Sequence, residues 1–193
     1  MPSLLSDPRF AITKTGGFSL KDHTCDLPGD LGKKELKEQL EADKERISEL
    51  QEVLYPAGKH ALLMIFQAMD AAGKDSCIRH VMSGVNPQGV HVTSFKAPSA
   101  EELDHDYLWR CARALPARGD IGIFNRSYYE EVLVARVHPE ILERQRLPKP
   151  ARGHDVWHRR YRDINAWERY LVDNGFMVVK VFLNLSKEEQ RER

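Results

Sequence analysis

The sequence predicts an α/β protein in which helices cover both faces of a mostly parallel sheet. Two observations carry this reading. Strand-like segments alternate with segments of helical period, the pattern of a parallel sheet sandwiched between helices. The segment from Ala61 to Phe66 is a near-continuous apolar run, as a strand buried on both faces requires. Sheets of this kind bind ligands at the carboxyl ends of their strands, which places the chemistry just after Phe66, Phe95 and Phe124.

The elements follow in order. Residues 1–30 carry Gly16-Gly17 and Pro28-Gly29 with weak periodicity, and predict an extended N-terminal arm ahead of a domain over residues 31–193. From Leu31 to Leu54, apolar residues at Leu36, Leu40, Ile47, Leu50 and Leu54 recur at helical spacing, and Tyr55-Pro56 is the expected stop. Asp43 interrupts that seam, so packing on the domain is expected rather than a long coiled coil. After the strand at Ala61–Phe66, Gly73 opens a helix running to about Val85. Asn86-Pro87-Gln88-Gly89 turns the chain into a β-branched strand over Val90–Phe95. Ser99 and Glu102 form a capping-box signature for a helix bearing Leu103, Tyr107, Cys111 and Leu115, closed by Pro116. Ile121–Phe124 is a short strand. Ser127 and Glu130 repeat the capping pattern and predict a helix ending near Pro139. Trp157, Tyr161, Ile164, Trp167 and Leu171 mark a long helix stopped by Gly175, and Phe176–Leu183 is strongly strand-like. Ser186 and Glu189 open a last helix that halts about two turns later.

Composition narrows the class. The 193 residues make one domain, or two at most. Hydrophobic residues at 41% and 12 glycines bring the apolar share to about 47%, the range of soluble globular chains. No apolar run approaches the ~18 residues of a bilayer span, and Asp7, Pro8 and Arg9 interrupt any secretory core. Three scattered cysteines fit a reducing compartment, so a cytoplasmic protein is expected. The 29 basic residues cancel 29 acidic ones, which argues against a dedicated nucleic-acid binder. Charge is nonetheless uneven: between Arg136 and Arg162 eight cations face three anions. That stretch is either a solvated helical face or a basic wall beside an anionic ligand, and charge alone does not separate the two.

The segment after the first strand reads Gln67-Ala68-Met69-Asp70-Ala71-Ala72-Gly73-Lys74-Asp75-Ser76. Against G-x-x-x-x-G-K-[ST], Gly73 and Lys74 match, Ala68 replaces the first glycine, and Asp75 replaces the hydroxyl residue. The strand before it and the helix after it are the context a phosphate loop needs. Backbone N–H groups at such a helix start cradle phosphate oxygens, and Lys74 adds a mobile positive charge. The plainer reading is an ordinary strand–helix connection containing a glycine. Asp75 removes the usual Mg²⁺-holding hydroxyl, with Ser76 one position late. Asp70 offers another carboxylate, for Mg²⁺ or for orienting an attacking phosphate, unless it only bonds its own backbone. The third strand ends in Asn125-Arg126-Ser127-Tyr128-Tyr129-Glu130. Arg126 there is placed to meet an anion, or else is held by Glu130 or Glu131, and Glu130 itself has a simple capping reading.

Together, Asp70-Ala71-Ala72-Gly73-Lys74 and Asn125-Arg126-Ser127-Tyr128-Tyr129-Glu130 resemble the family-2 polyphosphate kinases. The resemblance runs from about Lys33 through Ser186-Lys187-Glu188-Glu189-Gln190. It implies a three-layer P-loop kinase fold and Mg²⁺-dependent phosphoryl transfer between inorganic polyphosphate and AMP or ADP, forming ADP or ATP. It also implies Asp70, Lys74 and Arg126 as catalytic residues, with Asp70 at the metal. Residues Ala71, Ala72, Gly73, Lys74, Asp75, Ser76, Lys96 and Arg136 would hold polyphosphate. Asp70, Asn125, Arg126, Tyr129 and Glu130 would hold the nucleotide. Two departures stand out: the family's usual glycine is Ala68, and its usual Gly-Gly after the lysine is Asp75-Ser76. Many members have Asp-Arg-Ser-Trp-Tyr in the second motif, and the Asn125 and Glu130 version resembles the subgroup accepting both AMP and ADP. The family's lid arginines fall around or beyond Arg191–Arg193, so the domain is expected to lack its C-terminal lid and last helices. A homo-oligomer is expected, without nucleic-acid or membrane partners. The competing readings are an ATP-dependent kinase of a small metabolite and a non-catalytic P-loop domain binding polyanions.

Overall fold

The computed structural model describes residues 10–12, 16–23, 25 and 32–193; most of the predicted N-terminal arm lies outside the described residues. A helix α1 (Lys33–Ala57) precedes strand β1 (Ala61–Ala68) and helix α2 (Lys74–Val81). Strand β2 (Val90–Ser94), short helices α3 (Ala100–Leu103) and α4 (Trp109–Arg113), and strand β3 (Ile121–Asn125) follow. The chain continues through α5 (Val134–Val137), α6 (Pro139–Arg144), α7 (Val156–Asp173), strand β4 (Phe176–Leu183) and α8 (Lys187–Glu192).

The sheet order is β2-β3-β1-β4, and every pair is parallel. One face buries Leu63, Ile65, Cys111, Phe124, Tyr128, Ile164 and Leu171 under α4 and α7. The other buries Phe66, Ile78, Ile121 and Ile123, with Leu54 of α1 packed against them. Successive strand side chains point to opposite faces, so β1 contributes Leu63 and Ile65 to one core and Phe66 to the other. This is the three-layer arrangement expected.

Strand order then fixes where a ligand fits. The chain leaves β1 through α2 on one face, toward β2, and leaves β3 toward β4 with α7 on the other face. The connections diverge between β1 and β3, and the carboxyl ends of these two strands open a crevice there.

Several local expectations are corrected. Pro56 does not stop α1: it lies in the last turn, and Gly58, at φ 55°, ends the helix in the left-handed region. α1 docks on its own domain through Gln51, whose amide accepts from Asn86 N at 2.9 Å and donates to Asn86 O at 2.8 Å. α2 ends at Val81 rather than Val85. The single helix expected after Ser99 is two, because Asp106 Oδ1 accepts from Leu108 N and turns the chain between them. Its capping box is formed in full. The second capping pattern is not: Ser127 Oγ caps a 3₁₀ turn over Tyr128–Glu131, while the Glu130 carboxylate is engaged elsewhere. Pro139, expected as an end, starts α6, where its missing N–H costs nothing.

Candidate active site

The loop between β1 and α2 turns through two left-handed residues, Ala71 (φ 62°) and Gly73 (φ 78°). Gly73 precedes α2 without any side-chain cap, so the first-turn N–H groups have no protein side chain capping them. An uncapped helix start preceded by such a loop offers N–H donors and a positive dipole end, the features that suit an anion. Lys74 opens the helix, half-buried at its base. Ser76 Oγ donates back to Gly73 O at 2.8 Å, which ties the loop to the first turn.

Asp75 takes a different direction. Its Oδ1 accepts a short hydrogen bond from Asn125 Nδ2, and the same amide lies 3.4 Å from Ser94 Oγ. The start of α2 is thereby stapled to the ends of β3 and β2, beside a cavity of about 400 Å³ that Arg79, Met82 and Val92 also line.

Arg126 spans the crevice. Its N–H donates to Phe66 O at 3.1 Å, continuing the β1–β3 ladder. Its φ of 64° is left-handed, a conformation that costs a non-glycine residue roughly 1–3 kcal/mol and persists where neighbours over-determine it. The guanidinium donates to Asp70 Oδ1 at 3.3 Å through Nη2, and Nη1 lies 3.5 Å from Glu130 Oε2. Glu130 Oε1 in turn accepts from Gln67 Nε2 at 3.2 Å. Asp70 is almost wholly exposed, at 96% of its side chain, so one of its oxygens meets Arg126 while the rest face solvent. Arg126 thus joins the two motifs of the sequence.

Other residues named from the sequence stand apart from this contact. Lys96 follows the end of β2, and its carbonyl accepts from Arg110 Nη1. Arg136 donates to Tyr161 on α7. Tyr129 O–H donates to Glu168 Oε1 at 2.6 Å, and burial followed by that carboxylate raises the phenol's pKa. Within the basic stretch, Arg160 is buried: it bonds Glu131 and Gln145 and lies against the rings of Tyr107 and Trp157. It contributes nothing to a basic wall.

Sequence reasoning missed Gln67, Ser94 and the reach of Arg193. A Cβ built on Gly73 would stand 3.0 Å from Arg193 Nη1, so this guanidinium closes over the loop, held by Glu189 at 2.7 Å. Gln67 carried a signal, being a polar residue at the end of an apolar run. Arg193 lies where the resemblance puts the lid arginines, but its reach over Gly73 had no sequence signal. Ser94 carried none, since only folding brings it near.

Among the described residues no group of three or more His, Cys, Asp or Glu side chains could cage a metal. A lone exposed carboxylate at Asp70 fits Mg²⁺, which keeps several waters and shares substrate phosphates instead of a protein cage. No helix is long and apolar enough to cross a membrane, among the described residues.

Comparisons with known proteins give this geometry a family. Residues 30–193 match the family described as Polyphosphate kinase 2 (PPK2). An ADP-polyphosphate phosphotransferase of Rhodopseudomonas palustris is 58% identical over 162 residues, covering 83% of this chain and 56% of the relative. An AMP/ADP-polyphosphate phosphotransferase of Meiothermus ruber is 44% identical over 189 residues, covering 96% of this chain and 66% of the relative. The crystal structure of Polyphosphate Kinase 2 from Arthrobacter aurescens TC1 superposes with a TM-score of 0.83 at 42% identity, covering 93% of this chain and 62% of that one. The chain therefore spans between 56% and 66% of the length of these relatives. Because the match takes in the phosphate loop, the Arg126 turn and all four strands, the chain belongs to the polyphosphate kinase 2 family.

Proposed function

We propose that this chain carries the catalytic core for Mg²⁺-dependent phosphoryl transfer between inorganic polyphosphate and AMP or ADP, with residues 31–193 as its P-loop kinase domain. The observation that carries the reading is Arg126 bridging Asp70 and Glu130 beside the uncapped start of α2. Phosphoryl transfer asks a protein chiefly for positioning and charge neutralisation. The reaction itself is simple: an oxygen of the nucleotide's terminal phosphate attacks the last phosphorus of polyphosphate. A new P–O bond forms as the bond to the next phosphate breaks, and the shortened chain leaves as an anion.

The residues divide that work. The amides of Ala71–Ser76 and the Lys74 ammonium hold the end of polyphosphate. Asp70 would hold Mg²⁺, and when bound the ion neutralises phosphate charge and lowers the barrier to attack. Arg126 neutralises the transferring group, aimed by Asp70 on one side and Glu130 on the other. Asn125 fixes the strand end from which Arg126 departs. Arg193, Lys96 and Arg136 supply further positive charge for the polyanion. A cytoplasmic location and a homo-oligomer belong to the same proposal, and the three free cysteines agree with the first. The test incubates the protein with polyphosphate and Mg²⁺ and either AMP or ADP, then quantifies nucleotides. ADP and ATP formation is expected, and absence of transfer to either acceptor rejects the proposal.

A further inference from the structure

We propose that Glu168 of α7 is a positioning residue for Arg126, acting through the two tyrosines that follow it; the proposal rests on the functional reading above. Arg126 holds a left-handed φ of 64°, so something must keep the turn from relaxing. Upstream, its N–H is tied to Phe66 O. Downstream, Ser127 is fully buried, and its Oγ accepts from Tyr129 N at 3.1 Å. The side chains of Tyr128 and Tyr129 then converge on one atom: both hydroxyls donate to Glu168 Oε1, at 2.8 and 2.6 Å. The second oxygen, Oε2, accepts from Lys180 Nζ on β4 at 2.7 Å, and that ammonium also lies 3.2 Å from Tyr129 Oη. Tyr128 packs edge-to-face on Trp167, the neighbour of Glu168, with centroids 4.8 Å apart.

The chemistry of Glu168 suits this task. An ionised carboxylate only accepts, so it takes two O–H groups and an ammonium without conflict. A glutamine there turns an N–H₂ toward one set of donors, so either the tyrosine hydroxyls or the Lys180 ammonium lose their acceptor. Tyr128 and Tyr129 are thus pinned by α7 on the face where they pack, and Arg126 keeps its aim between Asp70 and Glu130. An aim of this kind matters most in the transition state, where a misplacement of about 1 Å costs roughly 10²-fold in rate.

The experiment compares wild type, Glu168→Gln, Arg126→Ala and the double variant in polyphosphate transfer to ADP. Expected is a fall in kcat of about 10–100-fold in Glu168→Gln with both KM values within about twofold. In the Arg126→Ala background the same substitution is expected to add nothing. An unchanged kcat, or losses that multiply in the double variant, overturns the proposal. If circular dichroism finds Glu168→Gln unfolded, Tyr129→Phe takes its place, since it removes one hydroxyl and keeps the ring. A readout without turnover accompanies both: the Arg126 Nε–H signal in NMR, assigned by its loss in Arg126→Ala, must shift in Glu168→Gln. A wild-type protein that transfers nothing sinks the functional reading, and that signal still decides the positioning.

Discussion

The Arg126 guanidinium stands 3.3 Å from the Asp70 carboxylate, joining residues 56 positions apart in the chain. Each comes from the end of a different strand, β1 for Asp70 and β3 for Arg126, and the strand order makes those ends neighbours. Arg126 is about half exposed and Asp70 almost wholly so, which keeps the pair's resting strength small; under the proposed function the guanidinium acts when phosphates arrive.

Arg126→Ala is therefore expected to reduce kcat by about 10³–10⁵-fold, the range for a transition-state arginine. Steady-state nucleotide formation with saturating polyphosphate measures it. A loss of tenfold or less removes Arg126 from the mechanism.

Asp75 and Asn125, 50 positions apart in the chain, meet in space as acceptor and donor. Asn125→Asp sets two carboxylates against each other and is expected to cost about 1–3 kcal/mol at pH 8. Pairing it with Asp75→Gly is expected to recover most of that. Urea denaturation of the single and double variants tests the coupling, and equal stability of both disproves it.

The Arg160–Glu131 pair has both side chains at most 5% exposed. Removing one partner strands a buried charge, so Arg160→Ala should destabilise by about 3–5 kcal/mol. The same substitution at exposed Arg162 should cost less than about 0.5 kcal/mol. Denaturant midpoints at one pH compare them directly.

Burial pushes the Cys111 thiol from the ordinary 9.0 up to about 12, and Tyr107 from 10.0 up to about 12. Burial raises Tyr128 and Tyr129 as well. In each case the folded state holds its proton longer than the unfolded chain. Stability from these groups is complete below about pH 9 and is lost as pH climbs toward 12. Thermal melts between pH 7 and 11 are expected to show a flat region and then a steep fall. A midpoint constant through pH 11 contradicts the assignment.

Gly119 has φ 95°, and a Cβ there would stand 2.7 Å from the Tyr55 carbonyl oxygen. Gly119→Ala must pay for the left-handed backbone and displace the end of α1, a loss of more than about 2 kcal/mol. Differential scanning calorimetry reads the drop, and an unchanged melting temperature refutes the contact.

What could be read in advance was whatever depends on neighbours in sequence. A run such as Ala61–Phe66 declares a buried strand by its own composition, and Gly73-Lys74 after it marks the turn from strand to helix by position. Ser99 and Glu102 cap each other across three residues, so their box was legible too. Lys180 within an apolar strand and Glu168 on the stripe of Ile164 and Leu171 were visible anomalies, but neither named its partner. Helix ends failed where a proline or serine had a second use. Pro56 fits the last turn of α1, and Ser127 caps a 3₁₀ turn because Glu130 is drawn to Arg126 and Gln67.

Local order and element type were thus set by the amino-acid sequence alone, because hydrophobic period and capping act over a few residues. Only the tertiary structure decided the order β2-β3-β1-β4, the pairing of Asp75 with Asn125, the burial of Arg160 and the bridge from Arg126 to Asp70. Those are contacts between residues tens of positions apart. Their partners are selected by the packing of whole strands and helices, which no short stretch of sequence encodes.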